Sequence, residues 1–461
     1  MRKNAALIMF PCLAMMIFAG LIQSEFSAAI AWTAAITFWV AGWWITEPIP
    51  IPATSLIPLA VFPLVGVLSP DEIGKSVGHK LVLLMMGGFM LSAAMERSGA
   101  HRRIALGMVN CFGGNSGRRL VFGFMVASAF LSMWISNAAT TLMLLPIAMA
   151  VVNQTENQRL QIALLLGVAY AASVGGIGTP IGTPPNLAFF AVFEDQFETK
   201  IGFVEWMTWV LPITIVMLPI VGWWLTRGLG KIDKIQLPEV GPWRTEEFRT
   251  LVVFAFTALL WITRTGPWGG WTGLAAHSGF PMPMANDASV AILGAIALFM
   301  IPNGHGERLL DWKTAESIPW GILLLFAGGL SLAAAFQSSG LSELLGTQLA
   351  NIGHLPVLLL IATICFAVTF LTEFTSNTAT TILLLPILAT AAVAADVDPK
   401  IFMIPATISA SFAFMLPVAT PPNAIVFGSG KLTVKQMAWE GLLLNLLGVC
   451  VVTVICYLMF A

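Results

Sequence analysis

Residues 120–152 run for 33 positions without one charged side chain, too long for a single membrane crossing and too short for two joined by a turn. A second stretch, 356–395, has the same awkward length and is interrupted by Glu373 alone. Each carries a polar, helix-breaking corner near its middle. Ser136-Asn137-Ala138-Ala139-Thr140-Thr141 in the first returns about 240 residues later as Ser376-Asn377-Thr378-Ala379-Thr380-Thr381. The economical reading is a re-entrant hairpin at each place, two half-length helices whose tips lie at mid-membrane depth. Non-helical backbone is tolerated there only where it is buried in protein or faces a wet cavity.

Composition supports a bilayer setting. With 57% hydrophobic and 10% charged residues the chain falls far from the soluble class, in which about a quarter of residues are charged. A formal charge of −1 gives no basic footprint for nucleic acid. Cys12, Cys111, Cys365, Cys450 and Cys456 lie in or beside apolar runs without C-x-x-C spacing, and no H-E-x-x-H pair exists among the five histidines, so no bound metal centre is read. The start, Met1-Arg2-Lys3 before an apolar stretch, has the charge pattern of a secretory signal, but the next apolar run follows at once and an uncleaved first helix is expected.

Eleven further apolar runs are candidate spanning helices, giving an all-α polytopic membrane protein of about eleven transmembrane helices plus the two hairpins. With the N-terminus in the cytoplasm, 17 of the 22 basic residues fall inside; Lys75, Lys80, Lys200, Arg264 and Lys400 fall outside. The hairpins then enter from opposite faces and the C-terminus lies in the periplasm. The expected layout is an N-terminal helix (1–27), a first inverted repeat (28–226; hairpin 120–152, broken helix 160–193), a cytoplasmic linker (227–249) and a second inverted repeat (250–461; hairpin 356–395, broken helix 401–428). Other repeat traces agree: Gly87-Gly88 and Ser98-Gly99 return as Gly328-Gly329 and Ser339-Gly340, and Trp44-Ile45-Thr46 as Trp261-Ile262-Thr263, with an insertion near 266–287. Inverted repeats around a midplane site are a transporter signature.

The broken helices hold the second shared element. Thr183-Pro184-Pro185-Asn186 and Thr420-Pro421-Pro422-Asn423 place a threonine before two prolines, the order of an N-cap and first helical turn. Four helix starts are thus expected to converge, with free N–H groups that favour an anion, while carbonyl ends of the preceding arms favour a cation. Asn137, Asn377, Thr183, Thr378 and Thr420 add uncharged donors. Because no Lys or Arg occurs in 120–152, 160–193 or 401–430, a mobile cation must offset an anionic guest, and sodium suits ligands of carbonyl, hydroxyl and amide oxygen. Glu373, the one carboxylate in these stretches, is a functional candidate by default, but without a counterpart in the first copy it reads rather as a brace for its tip. Pro146 and Pro386 read as kinks.

The paired Ser-Asn corner and Thr-Pro-Pro-Asn break resemble the divalent anion/sodium symporter family over nearly the whole chain. The resemblance implies import of C4-dicarboxylates (succinate, fumarate, malate) with several sodium ions, by a homodimer of the bacterial inner membrane whose hairpin-bearing domain moves as an elevator against a scaffold. It implies substrate contacts at Asn137, Thr183, Asn377, Thr378, Thr420 and Pro421. One sodium site would draw on Ser132, Ser136, Asn137 and Gly182, the other on Thr372, Thr375, Asn377 and Ala419. Ala138 departs from the pattern where threonine is usual, removing one hydroxyl donor. A sodium-independent exchanger, or a citrate or sulfate transporter, stays open within the family; an anion channel would use the same helix ends, but inverted hairpins suit alternating access better. No G-x-S-x-G elbow or metal signature points to an enzyme.

Overall fold

The computed structural model describes residues 2–112, 116–229, 240–266, 269–349 and 356–461. The described residues form helices joined by short turns, and no strand is found among them. The core of the expected linker, 230–239 with Lys231, Lys234 and Pro238, lies outside them; the next helix, Thr245–Ile262, already begins within the expected linker span.

Both awkward-length stretches lie in helix–turn–helix units. Gly117–Ser132 and Asn137–Val152 flank the first corner, and Val357–Thr372 and Asn377–Ala394 flank the second. Each corner is set by its serine, which caps the second arm: Ser136 Oγ accepts from Ala139 N at 3.2 Å and Ser376 Oγ from Ala379 N at 3.5 Å. Pro146 and Pro386 lie inside these second arms. The two long apolar runs are each divided. Gln158–Gly176 stops before Pro184–Phe197, and Pro399–Ala410 stops before Pro421–Phe427.

Among the described residues, eight helices are long and apolar enough to cross a membrane. The chain is a multi-pass membrane protein. Five of the eleven expected runs differ from a simple span for local reasons. The 51–68 run is divided into Ile51–Thr54 and Leu56–Leu64; the 250–264 run extends a charged first turn holding Glu246 and Glu247; Asp287–Met300 has only 14 residues; and 160–193 and 401–428 are broken. Asn377–Ala394, expected as a half-length arm, has 18 residues and meets the length criterion. The expected insertion contains a short helix, Gly270–His277.

The repeat traces have matching local geometry. Gly99 and Gly340 both end their helices with left-handed backbone, φ +76° and +82°, where a side chain would be strained. Ser98 Oγ accepts from Ala100 N and Ser339 Oγ from Leu341 N, each at 3.3 Å. Gly87 and Gly328 mark close helix crossings: a Cβ would lie 2.7 Å from Ala291 Cβ in one case and 2.3 Å from the Ser55 carbonyl oxygen in the other. Trp44 and Trp261 are both buried and both donate from the indole, to Ser55 Oγ and to the Asp287 carbonyl.

Candidate functional site

Both corners and both Thr-Pro breaks border one cavity of about 810 Å³. Its lining brings together Asn137, Thr183, Asn377, Thr378, Thr420 and Pro421, the full set expected to contact an anion. Ser136, Gly182, Thr375 and Ala419 from the two cation sets also line it. Ser132 and Thr372 do not. They lie behind the corner asparagines, wholly buried, and each donates from its hydroxyl to an amide oxygen at 2.6 Å: Ser132 to Asn137 Oδ1, Thr372 to Asn377 Oδ1. The oxygen side of each amide is thereby fixed toward its first arm, and the NH₂ groups have no partner among the described residues at the cavity wall. Thr141 and Thr381 repeat the symmetry by donating to the Asn137 and Asn377 carbonyls at 2.8 Å.

The unwound segments bring further oxygen to the corners. A Cβ at Gly182 would lie 2.3 Å from the Gly176 carbonyl oxygen and 2.9 Å from that of Ser132; a Cβ at Gly176 would lie 2.4 Å from Asn137 Oδ1. Glycine at both positions therefore keeps open a small cradle lined by uncharged oxygens, the donor set a hard cation prefers. On the other side Thr372 Oγ1 also approaches the Ala410 carbonyl at 3.1 Å, and Thr375 Oγ1 shares a 2.6 Å bond with Thr380.

The expected caps are only half realised. Thr420 Oγ1 accepts from Asn423 N at 3.2 Å, whereas Thr183 makes no side-chain cap bond and its hydroxyl is left at the cavity. Glu373 does not line the cavity. It is buried and receives three donors, Met415 N and Leu416 N at 2.9 Å and Asn445 Nδ2 at 2.7 Å, which makes it the brace that its lone position in the sequence implied.

Residues 41–401 match the model of the citrate transporter family. The chain belongs to that family. It is 41% identical over 448 residues to the sodium-dependent dicarboxylate transporter SdcS of Staphylococcus saprophyticus, covering 92% of this chain and 85% of the relative. Against SdcS of Staphylococcus aureus the identity is 39%, with 92% and 84% covered. The resemblance carried by the paired motifs therefore holds, and family membership marks the chain as a transporter rather than an enzyme. Among solved structures, the YdaH transporter of Alcanivorax borkumensis shares the fold with TM-score 0.59 at 15% identity, covering 86% of each chain. MtrF of Neisseria gonorrhoeae gives 0.60 at 14% identity, covering 86% of this chain and 83% of that one.

For a member of this family the cavity has a second wall that motif reading missed. Ile51, Pro52, Leu84, Met85, Phe89, Pro319, Ile322 and Leu325 face the polar corners, and Ser92 and Thr46 are interspersed. Nothing in their spacing sets them apart from ordinary apolar packing. No Lys, Arg or His belongs to the lining, and Glu47 is its one charged residue among those described.

Proposed function

We propose that this protein is a secondary active transporter that imports C4-dicarboxylates such as succinate, fumarate and malate together with sodium. The observation that carries the proposal is the single cavity bordered by two asparagine corners and two Thr-Pro helix starts without any basic side chain. A dianion there would be met by the amide hydrogens of Asn137 and Asn377, by the hydroxyls of Thr183, Thr378 and Thr420, and by backbone N–H groups at the start of the second arms, with Pro421 in van der Waals contact. Its charge would be offset by sodium ions held by Ser132, Ser136, Asn137 and Gly182 on one side and Thr372, Thr375, Asn377 and Ala419 on the other. Each corner asparagine serves both guests, oxygen toward the cation and nitrogen toward the anion, so neither guest is well held alone. That is the physical basis of coupling. The relatives named as sodium-dependent dicarboxylate transporters support the same choice of ions.

In this reading the helix–turn–helix units are re-entrant, the two repeats have inverted topology with about eleven crossings, and the transporter works as a homodimeric elevator in the inner membrane. The orientation, N-terminus cytoplasmic and C-terminus periplasmic, rests on the excess of basic residues on one face, and the ion pairs support the division of charges between two faces. Lys80 pairs with Glu194 and Arg264 with Asp287 among residues assigned outside, while Arg97 pairs with Glu307 and Asp311, Arg103 with Glu247, and Arg227 with Glu440 among those assigned inside. None of the described pairs links the two sets.

Uptake of labelled succinate into proteoliposomes tests the function: uptake should be strong with an inward sodium gradient and absent when potassium replaces sodium. Equal uptake in potassium would contradict coupling, and counterflow without a gradient would identify an exchanger. The match to the citrate transporter family favours citrate as a second candidate substrate. Competition by unlabelled citrate, sulfate and C4-dicarboxylates ranks the candidates.

A further inference from the structure

We infer that Asn186 and Asn423, which follow the two Thr-Pro-Pro breaks, are positioning residues that hold the unwound carbonyl segments in register around the two cation sites. The inference rests on the sodium-coupled reading above and adds to it the device that keeps each site in shape.

A broken helix leaves carbonyls without helical donors, and in an apolar interior each unpaired carbonyl is costly. Both asparagines are wholly buried in the first turn of the following half-helix, and both turn the amide nitrogen back onto the preceding break. Asn186 Nδ2 reaches the carbonyls of Gly176, Ile177 and Thr179 at 3.2, 3.2 and 2.7 Å. Asn423 Nδ2 reaches those of Ala413 and Leu416, both at 3.0 Å. Gly176 and Thr179 lie ten and seven residues before Asn186, and Ala413 and Leu416 lie ten and seven before Asn423, so the same pin is built twice.

Two features separate this from ordinary packing. In both repeats the amide oxygen is buried without a partner among the described residues, an orientation that a residue retained for satisfied hydrogen bonding alone would avoid. And the pinned Gly176 carbonyl is the same oxygen that closes on Gly182 beside Ser132 and Asn137. The pin thus fixes the direction of an oxygen at the cation cradle, as an outer-shell partner does for a metal ligand.

The test uses Asn186→Leu and Asn423→Leu, which keep a side chain branched at the same carbon but remove the donors and add no ionisable group, with Asn→Ala at each position as a second pair. Sodium-dependent thermal stabilisation of the purified protein gives the cation response, and hydrogen exchange of peptides covering 176–183 and 413–420 reports the pins themselves. The expected result for each Leu and Ala variant is a rise of about tenfold or more in the sodium concentration for half-stabilisation. Faster exchange should be confined to the segment whose pin was cut, with succinate affinity at saturating sodium retained. Leu variants with wild-type sodium response and wild-type exchange would overturn the inference, because bulk alone would then account for the asparagines. A wild-type protein that ignores sodium would instead sink the transport reading. The exchange of the two segments would still decide the pins, with unchanged exchange in the Leu and Ala variants rejecting them.

Discussion

The two corners are built alike and held differently. At each, a serine caps the second arm and a buried hydroxyl from the first arm grips the asparagine oxygen. Three residues between those points have diverged: Met133-Trp134-Ile135 at the first corner stands where Glu373-Phe374-Thr375 stands at the second. Trp134 packs against Phe203 with ring centroids 6.2 Å apart and edge-on to Phe254 at 6.0 Å, so the first corner is held mainly by apolar contact with two other helices, with one polar tie from the Thr179 hydroxyl to the Met133 carbonyl. Phe374 is 72% exposed, and the second corner is held from behind by Glu373 through the 415–416 backbone and Asn445. With Ile135 where the second corner has threonine, Thr140 Oγ1 is buried without a partner among the described residues, where Thr380 has Thr375. The same serine cap and gripped asparagine are thus mounted on a mainly apolar support in one repeat and a polar one in the other. The cap and the asparagine match between repeats; the three residues before the cap do not.

The largest expected effects fall on what the corners share. Asn377→Ala should abolish both succinate uptake and stabilisation by sodium, since one side chain serves both guests, and Asn137→Ala should do the same. Sodium stabilisation surviving in either variant would show that its corner uses the asparagine for the anion alone. Next come the supports. Glu373→Ala strands three donors, one of them on the wholly buried Asn445, and with membrane hydrogen bonds worth at most about 1.7 kcal/mol each, a loss of about 2 kcal/mol or more is expected in detergent unfolding. Met133→Leu, at the matching position, should cost less than about 1.5 kcal/mol. Equal losses at the two positions would erase the distinction between polar and apolar mounting.

The aromatic pair gives a smaller, opposite contrast. Trp134→Ala removes two ring contacts worth about 0.5–1.5 kcal/mol each beyond their area. Phe374→Ala should stay within about 0.5 kcal/mol of wild type, because its ring is exposed. A costly Phe374→Ala would mean that the second corner has an apolar seat after all. Smallest in stability is Ala138→Thr, which restores at the first corner the hydroxyl that Thr378 supplies at the second. It should alter the ranking of competing di- and tricarboxylates without moving the unfolding midpoint, and an unchanged ranking would remove this position from the substrate wall.

The contrast also explains what the sequence made legible. Polar, helix-breaking residues inside apolar runs are costly in lipid and rarely without purpose, so the corners at Ser136 and Ser376 and the breaks before Pro184 and Pro421 stand out. The repeated glycines were legible for the same reason. By contrast, the second wall of the cavity is built from Leu84, Phe89, Ile322 and similar residues whose apolar character is shared with the whole chain. Ser132 and Thr372 were placed by family resemblance, and their position behind the asparagines, not beside the cavity, depends on which way each arm faces. Glu373 was visible as an isolated carboxylate, but its partners lie 42, 43 and 72 residues away. Helix lengths were least legible where charge or proline cuts a run, as at Glu246-Glu247 and between Ile51–Thr54 and Leu56–Leu64.

Equilibrium binding of labelled succinate to the purified protein, titrated with sodium at constant ionic strength, tests most directly whether a cavity without basic side chains holds a dianion through helix ends and co-bound cations. Succinate affinity should rise steeply with sodium and vanish in its absence. Binding of the same strength in sodium-free choline or potassium buffer would contradict the account.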